Sequence, residues 1–192
     1  MSATDAALEV ITSGIRHAPA RLGPDEDALT LVCIDGPAGS GKTTLATRLS
    51  QRTGAHVVHM DDLYEGWSGL LEVSTRLHEQ ILVPMAAGEQ GRYRRYDWHR
   101  GEFAEWVDVP RTPVLILEGC GAGSAVVQPY LGLLTWVSAP DDLRLRRGLK
   151  RDGAQLEDHW RAFMADEQVL YTRERTAERA HLRLDGWGRL DE

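Results

Sequence analysis

The chain has 192 residues, of which 42% are hydrophobic and 27% are charged, and this composition fits one globular domain with a full hydrophobic core. Its net charge of −7 argues against a protein that coats nucleic acid, and its two cysteines exclude a disulfide framework and a zinc site. Because no apolar run approaches about 18 residues and no signal-like segment is present, we expect a cytoplasmic protein with neither a nucleic-acid nor a membrane partner.

The first predicted element is an amphipathic helix near the start of the chain, where Leu8, Ile11 and Ile15 recur at helical spacing. Prolines and a glycine interrupt the chain after this helix, so residues 1–24 are expected to form the helix and a link. We expect the apolar stripe of the helix to pack on a sheet, and a surface for a partner protein is the alternative. A homodimer is also left open.

A glycine-rich turn between a short apolar run and a helix is the strongest motif in the chain. Residues 31–34 are predicted to form a buried strand, and residues 36–43 then satisfy the pattern G-x-x-x-x-G-K-[ST]. The glycines allow backbone N–H groups to form a nest, and the positive end of the helix dipole points into the same concavity. We therefore predict a polyphosphate site formed by Gly36, Ala38, Gly39, Ser40, Gly41, Lys42, Thr43 and Thr44.

Carboxylates follow the next two predicted strands. The carboxyl ends of strands are where open α/β sheets bind ligands. Asp61 is placed to accept a proton from a substrate hydroxyl, and Glu118 is placed to hold the shell of a Mg²⁺ ion next to Thr43. Asp62 is the alternative base. A turn or capping role is the structural alternative for Asp61, and a carboxylate that simply ends its strand in solvent is the alternative for Glu118.

Two histidines, His56 and His59, lie on the second predicted strand. Because they are an odd number of residues apart, their side chains are expected to point to opposite faces of the sheet. We interpret them as packing or surface residues, and we do not expect them to form a metal site together.

Residues 88–109 are polar and rich in arginine and aromatic residues, and we interpret them as a loop or insert with little periodicity on the substrate side. A helical pattern precedes them and is predicted to close near Pro84. An aspartate between a tyrosine and a tryptophan is typical of a sugar or polyol site, because a carboxylate binds hydroxyl groups and a ring covers the apolar face. A neighbouring arginine would suit an anionic substrate, and a surface insert anchored by its aromatics is the alternative. The candidate substrate residues here are Arg95, Tyr96, Asp97 and Trp98.

A basic helix is predicted over residues 141–153, after the fourth predicted strand. Arg144, Arg147 and Arg151 follow the spacing i, i+3, i+7, which places them on one helical face. Such a face could close as a lid over phosphates and offset the charge on a transferring group, whereas a solvated basic face is the structural alternative. A longer helix and a fifth strand follow, and the alternation of strands with helices predicts a parallel sheet covered on both faces.

Four motifs resemble those of the uridine kinase and phosphoribulokinase group of P-loop kinases, and they occur in the same order as in that family. They are the phosphate loop, the acidic and aromatic residues 61–64, the strand end 115–119 and the lid helix 142–152. The resemblance implies a P-loop NTPase fold over residues 1–192, with five parallel strands in the order 2-3-1-4-5 and a lid helix.

The resemblance also implies ATP and Mg²⁺ as cofactors and a small hydroxyl-bearing molecule as the second substrate. By it, the lysine of the loop would reach between the β- and γ-phosphates, and the acid after the second strand would be the base. The implied catalytic residues are Lys42, Asp61, Arg147 and Arg151. Arg144 would bind the nucleotide together with the phosphate loop, and Tyr64 would bind the substrate together with Asp61. The implied metal ligands are Thr43 and Glu118.

The chain also departs from that family. It lacks the Phe-Asp-His-Pro-like segment that follows the second helix of uridine kinases, and Gly148 stands where the family often carries a second arginine beside Arg147. Residues 35–42 are also similar to cytidylate kinases, but the downstream nucleotide-monophosphate motifs of those enzymes are absent. We therefore expect an ATP-dependent small-molecule kinase, with a nucleoside as the first acceptor. The alternatives are a kinase of a sugar, polyol or pantothenate-like alcohol, and a non-catalytic ATP-binding regulator.

Overall fold

The computed structural model describes residues 3–190, and the predicted domain limits at residues 1 and 192 lie outside them. The strands are β1 (Thr30–Asp35), β2 (His56–His59), β3 (Gly91–Asp97), β4 (Glu102–Val109), β5 (Val114–Glu118), β6 (Leu131–Val137) and β7 (Leu182–Leu184). The helices are α1 (Ala3–His17), α2 (Lys42–Thr53), α3 (Val73–Leu77), α4 (Val83–Ala86), α5 (Asp141–Asp152), α6 (Glu157–Glu174) and α7 (Thr176–Arg179). Within this part of the chain, no helix has both the length and the apolar character needed to cross a membrane.

Five strands form a parallel sheet in the order β2-β5-β1-β6-β7, and β3 and β4 form a separate antiparallel hairpin. Counted without the hairpin, the sheet order is 2-3-1-4-5, as the family resemblance implies. β1 lies at the centre and pairs with β5 and β6. Because all five strands run the same way, their carboxyl ends meet at one edge, and Asp35, His59 and Glu118 lie there.

Both faces of the sheet are covered, as the alternation of strands and helices predicts. β1 is buried throughout, with Leu31 and Cys33 in one hydrophobic core and Val32 and Ile34 in the other. This division follows from the strand itself, because successive side chains point to opposite faces. Residues of α1 and α2 pack with Ile34, whereas residues of α3 and α6 pack in the core that contains Leu31.

Helix α1 packs on the sheet and does not present its apolar stripe to solvent. Ala7, Leu8, Ile11 and Ile15 are buried and share a core with Val32 of β1. The expectation of packing on the sheet is confirmed. The alternative interpretation, in which this stripe binds a partner protein, therefore loses its basis.

The predicted loop or insert that precedes β5 is a β-hairpin, so the interpretation as a loop was wrong for residues 91–97 and 102–109. β3 and β4 pair antiparallel, and a turn closed by the N–H group of Gly101 on the carbonyl oxygen of Asp97 joins them. The register shifts between Arg94 and Tyr96, so the buried side chains of Tyr93 and Tyr96 are an odd number of residues apart. This irregularity breaks the period of two that identifies a strand in a sequence.

The helix that precedes the hairpin ends at Ala86, near Pro84 as the sequence predicts. A 3₁₀ segment (Gly66–Glu72) leads into α3, and a π-helical turn (His78–Leu82) separates α3 from α4. The π-helical turn changes the hydrogen-bond pattern, so Pro84 lies in the first turn of α4, where its missing N–H group is tolerated. The predicted apolar face is retained, because Leu77 and Ile81 are buried.

Adjacent residues of α1 allow a direct test of its packing. Ile11→Ala removes buried methyl groups from the core and is expected to lower the free energy of unfolding by about 2–5 kcal/mol. Val10→Ala, at a residue that is 40% exposed, should change it by less than about 0.5 kcal/mol. Urea denaturation followed by circular dichroism measures both values. Equal effects of the two substitutions would contradict the packing of α1 described above.

Candidate active site

The loop that joins β1 to α2 adopts a conformation that requires glycine. Gly36 has a φ of 141°, and a Cβ atom there would lie 2.0 Å from the carbonyl oxygen of Val137. Gly39 has a φ of 77°, and a Cβ atom there would lie 2.8 Å from the carbonyl oxygen of Arg144. Gly41 is the N-cap residue of α2, and no side chain among residues 3–190 caps this helix. The first N–H groups of α2 can therefore bind an anion.

The buried carboxylate of Asp35 fixes the start of this loop. Its Oδ1 atom accepts hydrogen bonds from the N–H groups of Gly36 at 2.6 Å and Gly121 at 3.0 Å, and from the hydroxyl of Tyr171 at 2.9 Å. Its Oδ2 atom accepts one from the N–H group of Gly123 at 2.8 Å. Burial raises the pKa of Asp35, and its hydrogen-bond donors oppose that rise because they stabilise the charged form. One carboxylate therefore joins the loop, the segment after β5 and α6.

A second buried carboxylate, that of Glu167 on α6, binds the middle of the loop. It accepts a hydrogen bond from the N–H group of Ala38 at 2.5 Å, and it forms an ion pair with Arg144 at 2.9 Å. The Arg144 guanidinium also donates to the carbonyl oxygen of Ala38 at 2.9 Å. Glu167 therefore connects the loop to α5 through Arg144.

This network corrects two predictions from the sequence. The N–H group of Ala38 is bonded to Glu167 and is not left for phosphate. Arg144 is buried between Glu167, Asp141 and the loop, so its guanidinium does not face a nucleotide. No local sequence pattern indicates this arrangement, because Glu167 lies 129 residues from Ala38 along the chain.

The ammonium group of Lys42 lies inside the loop. Its Nζ atom donates to the carbonyl oxygen of Pro37 at 3.0 Å and lies 3.7 Å from the Sγ atom of Cys120. Burial lowers the pKa of Lys42, but the nearby carboxylates of Glu118, Glu167 and Asp35 raise it, and the net shift is upward. The side chain therefore stays cationic at neutral pH and can bind a phosphate group.

Glu118, at the carboxyl end of β5, contacts side chains from two other elements. The Thr43 hydroxyl donates to its Oε2 atom at 3.4 Å, and Nδ1 of His59 lies 2.5 Å from its Oε1 atom. The parallel pairing of β2 with β5 places His59 opposite Glu118, and this hydrogen bond raises the pKa of His59. His59 is therefore more than the packing or surface residue predicted from the sequence.

The oxygen atoms of Thr43 and Glu118 fit the ligand preference of Mg²⁺. This ion takes oxygen ligands, keeps several waters and commonly uses only one or two protein carboxylates together with substrate phosphates. Within residues 3–190, no group of three or more His, Cys, Asp or Glu side chains is arranged to hold a metal ion. A metal ion at Thr43 and Glu118 would therefore take its remaining ligands from water or from a bound molecule.

A cavity of about 480 Å³ lies between the start of α2 and the segment after β7, and we call it the β7-side cavity. Arg147 of α5 lines it and donates to the carbonyl oxygens of Gly39 at 3.0 Å and Gly186 at 3.1 Å. Trp187 lines it from the segment after β7. The sequence prediction stopped at the fifth strand and missed this residue, although a tryptophan between two glycines was a usable signal.

A second cavity, of about 660 Å³, adjoins the first, and we call it the aromatic cavity. The rings that line it belong to Tyr64, Trp67, Trp98, Trp160 and Phe163. Trp67 is at the centre of this cluster, with centroid distances of 5.6–6.1 Å to three of the other rings. The residues that line both cavities are Gly39, Lys42, Thr43 and Arg151. A chemical group could therefore pass between molecules bound in the two cavities at this junction.

Asp61 and Asp62 make different contacts at the end of β2. Asp61 lines the aromatic cavity, whereas the carboxylate of Asp62 accepts a hydrogen bond from the hydroxyl of Tyr93 at 3.2 Å. Asp61 is open to solvent within the cleft, but the surrounding protein and the charge of Glu118 raise its pKa. Burial also raises the pKa of Asp62, so the pKa shifts do not distinguish the two carboxylates. The lining of the aromatic cavity does distinguish them, and it favours Asp61 over Asp62 as a proton acceptor.

Two of the predicted substrate residues lie with Asp61 at the aromatic cavity. The indole N–H group of Trp98 donates to the carbonyl oxygen of Asp61 at 3.0 Å, which anchors the hairpin turn beside the cavity. The hydroxyl of Tyr64 donates to the carbonyl oxygen of Cys120 at 2.6 Å, so this ring is fixed in the wall. The structure thus brings together Asp61, Tyr64 and Trp98.

Arg95, Tyr96 and Asp97 are not among the described residues that line the aromatic cavity, which corrects the prediction of a sugar site. The Oδ1 atom of Asp97 accepts hydrogen bonds from two backbone N–H groups, at 3.0 and 3.1 Å, so its carboxylate stabilises the hairpin turn. Arg95 forms an ion pair across the hairpin with Glu105 at 2.7 Å. Tyr96 is buried and packs its ring against Trp98.

The fold has clear counterparts among known proteins, although no protein-family model matches the chain. It is 24% identical over 154 residues to a cytidylate kinase of Ignicoccus hospitalis, across 76% of this chain and 78% of the relative. A structure described as a possible uridine kinase from Bacillus stearothermophilus has a TM-score of 0.63 and 20% identity, across 94% of this chain and 98% of that one. One described as a fructose transport system kinase from Silicibacter sp. TM1040 has a TM-score of 0.55 and 22% identity, across 93% and 98%. The chain shares the α/β fold of these structures, and the predicted P-loop NTPase fold with a five-stranded parallel sheet is confirmed.

The role of Asp35 in the loop can be tested by removing its charge without changing its shape. Asp35→Asn places an amide NH₂ group against one of the four buried donors and is expected to lower the free energy of unfolding by about 2–4 kcal/mol. Asp142→Asn breaks an exposed ion pair with Arg146 and should cost less than about 0.5 kcal/mol. Urea denaturation compares the two variants. A cost below about 1 kcal/mol for Asp35→Asn would contradict its role in the loop.

Proposed function

We propose that the protein is a kinase that transfers the γ-phosphoryl group of Mg-ATP to a hydroxyl group of a small molecule, with a nucleoside as the first candidate. The observation that carries this proposal is the meeting of two cavities at Lys42, Thr43 and Arg151, with the carboxylate of Asp61 in the aromatic cavity. A donor and an acceptor bound in adjoining cavities have their reacting groups close together, which is a main requirement of phosphoryl transfer. The P-loop kinase fold supports the same proposal.

In this proposal the β7-side cavity binds the nucleotide. The first N–H groups of α2, the ammonium of Lys42 and the guanidinium of Arg147 supply positive charge for a triphosphate. The side chain of Trp187, a residue that is 55% exposed, offers an aromatic surface to the base. Together they make this cavity the donor site.

Thr43 and Glu118 are the proposed ligands of Mg²⁺ beside the triphosphate. The ion, when bound, offsets negative charge on the β- and γ-phosphates. His59 binds Oε1 of Glu118, which orients the carboxylate and leaves Oε2 toward Thr43. His59 therefore supports the metal site without contacting the metal.

Asp61 is the proposed general base. It accepts the proton of the acceptor hydroxyl as that oxygen bonds to the γ-phosphorus, while the bond from the γ-phosphorus to the bridging oxygen breaks and ADP leaves. Arg151, at the junction of the two cavities, offsets the charge that develops on the transferring group. A carboxylate at this place fits a hydroxyl acceptor, because a phosphate acceptor is already ionised and needs no base.

The walls of the aromatic cavity support a flat acceptor that carries no phosphate. Aromatic rings line this cavity, and such surfaces bind a nucleobase by stacking. A monophosphate would meet the carboxylates of Asp61 and Asp152, and the lysine and arginine that line this cavity, Lys42 and Arg151, also line the donor site. A nucleoside therefore fits better than a nucleotide, even though the curated relative is named a cytidylate kinase.

The residues that favoured the alternative functions have other roles in the structure. A sugar, polyol or pantothenate-like acceptor was favoured by Asp97, which stabilises the hairpin turn instead. A non-catalytic regulator was favoured by the apolar stripe of α1, which is packed on the sheet. Neither alternative is supported by a contact at the junction of the two cavities.

A matched pair of aspartate variants tests the proposed base. Asp61→Asn should lower acceptor-dependent release of ADP from Mg-ATP by about 10²–10⁴-fold while ATP still binds, because only the proton acceptor is lost. Asp62→Asn should keep the rate within about threefold, because Asp62 is bonded to Tyr93 and lies off the cavity wall. The acceptors are cytidine, uridine, adenosine, ribose, glycerol and pantothenate.

The outcomes of this assay separate the possibilities. Stimulation by one acceptor that is lost in both Asp61→Asn and Lys42→Ala supports the kinase and names its substrate class. A failure of every acceptor to stimulate ADP release, while ATP still binds, counts against the kinase proposal. A larger loss in Asp62→Asn than in Asp61→Asn reverses the assignment of the base.

Neighbouring arginines of α5 test the donor site. Arg147→Met removes a guanidinium that lines the β7-side cavity, and it should weaken ATP binding about tenfold or more, as expected for one hydrogen bond to a charged group. Arg146→Met removes an exposed partner of Asp142 and should leave the Kd within about twofold. Isothermal titration calorimetry with ATP measures both values. Equal Kd values for the two variants would exclude Arg147 from the donor site.

A further inference from the structure

Trp160 links the aromatic cavity to the last turn of α5. It lies on α6, is 1% exposed, and lines the aromatic cavity behind Trp67, at a ring centroid distance of 6.1 Å. Its indole N–H group donates to Oδ2 of Asp152 at 3.0 Å. Because Asp152 is the last residue of α5, this hydrogen bond crosses from one helix to the other.

Asp152 in turn binds the side chain of Arg151. The guanidinium donates from Nε to Oδ1 at 2.7 Å and from Nη2 to Oδ2 at 3.0 Å, which is a two-point ion pair. The Cζ atom of Arg151 also lies 5.8 Å from the ring centroid of Trp160. The Arg151 side chain is 65% exposed, so a long and otherwise mobile group is directed by these contacts.

The close approach of Trp160 to α5 requires a glycine. A Cβ atom at Gly148 would lie 2.2 Å from Cζ2 of Trp160, far inside the normal contact distance. Any side chain there would displace the indole and, with it, the N–H donor to Asp152. Glycine destabilises the interior of a helix, and the close packing of Trp160 explains why a glycine nevertheless occupies this position of α5.

We propose that Trp160 is a positioning residue for phosphoryl transfer: through Asp152 it holds the Arg151 guanidinium at the junction of the β7-side cavity and the aromatic cavity. This inference rests on the kinase function proposed above. Trp160 reaches no reacting atom in this arrangement, and its effect is exerted through Arg151. Because Arg151 offsets charge that develops only in the transition state, its displacement lowers kcat and leaves the KM values largely unchanged.

Two conservative variants break this connection at different bonds. Trp160→Phe keeps a ring in the core and removes the N–H donor to Asp152. Asp152→Asn keeps an oxygen that can accept the indole N–H group and removes the ion pair with Arg151. Each variant is expected to lower kcat about tenfold or more, with the KM values for Mg-ATP and for the acceptor changed by less than about threefold.

A double-mutant cycle separates positioning from general structural damage. Arg151→Met removes the guanidinium on which Trp160 is proposed to act. In that background, Trp160→Phe should cause no further loss of kcat beyond about twofold, because its partner is already gone. If Trp160→Phe acted by general damage to the core, the two losses would multiply.

Trp106→Phe is the matched control, because Trp106 is a 48% exposed indole on β4 and is not among the described residues that line either cavity. It should match the wild type in kcat and in both KM values. The positioning role is overturned if Trp160→Phe keeps the wild-type kcat, or if its loss multiplies with that of Arg151→Met. A wild-type protein without acceptor-dependent ADP release would instead contradict the kinase function, which is a distinguishable result.

Discussion

The buried carboxylate of Asp35 needs hydrogen-bond donors, and this requirement determines the conformation of the loop between β1 and α2. Asp35 accepts hydrogen bonds from the loop, from the segment after β5 and from α6, so these three parts cannot shift independently. An unpaired carboxylate inside a protein is strongly unfavourable, and this keeps the three parts together. Glu167 acts in the same way on the middle of the loop and adds α5 through Arg144. Buried hydrogen bonds therefore hold the loop in a defined conformation.

The parallel sheet brings the remaining groups to this fixed loop. β2 and β5 end side by side, so His59 and Glu118 meet at the edge where α2 presents Lys42 and Thr43. The two cavities adjoin at Lys42 and Thr43, and Asp61 lines only the aromatic cavity. The asymmetry of the site follows from the chain's topology, because the segments after β2 and after β7 lie at opposite ends of the strand order.

The sequence predicts those features that contiguous residues determine, and it predicts less well those that depend on distant partners. The phosphate loop, the five parallel strands and the helices on both faces follow from local patterns. In contrast, His59 meets Glu118 only through strand register, and Arg144 meets Glu167 only because α5 packs on α6. Asp97 is a different case, since a short polar side chain before a glycine-containing turn is a local signal for the turn role it has.

The hairpin of β3 and β4 has no strand pairing with the central sheet in the described part of the chain, yet through Trp98 it forms part of the aromatic cavity. Tyr93 and Val109 of the hairpin are buried in the main hydrophobic core, whereas its turn, residues 98–101, is exposed. Substitutions in this turn can therefore alter one wall of the cavity while the hydrogen bonds of the sheet and of the phosphate loop stay in place. The exposed turn is therefore the part of this wall that can vary at least cost to the fold, because loops tolerate sequence changes that the elements they connect do not.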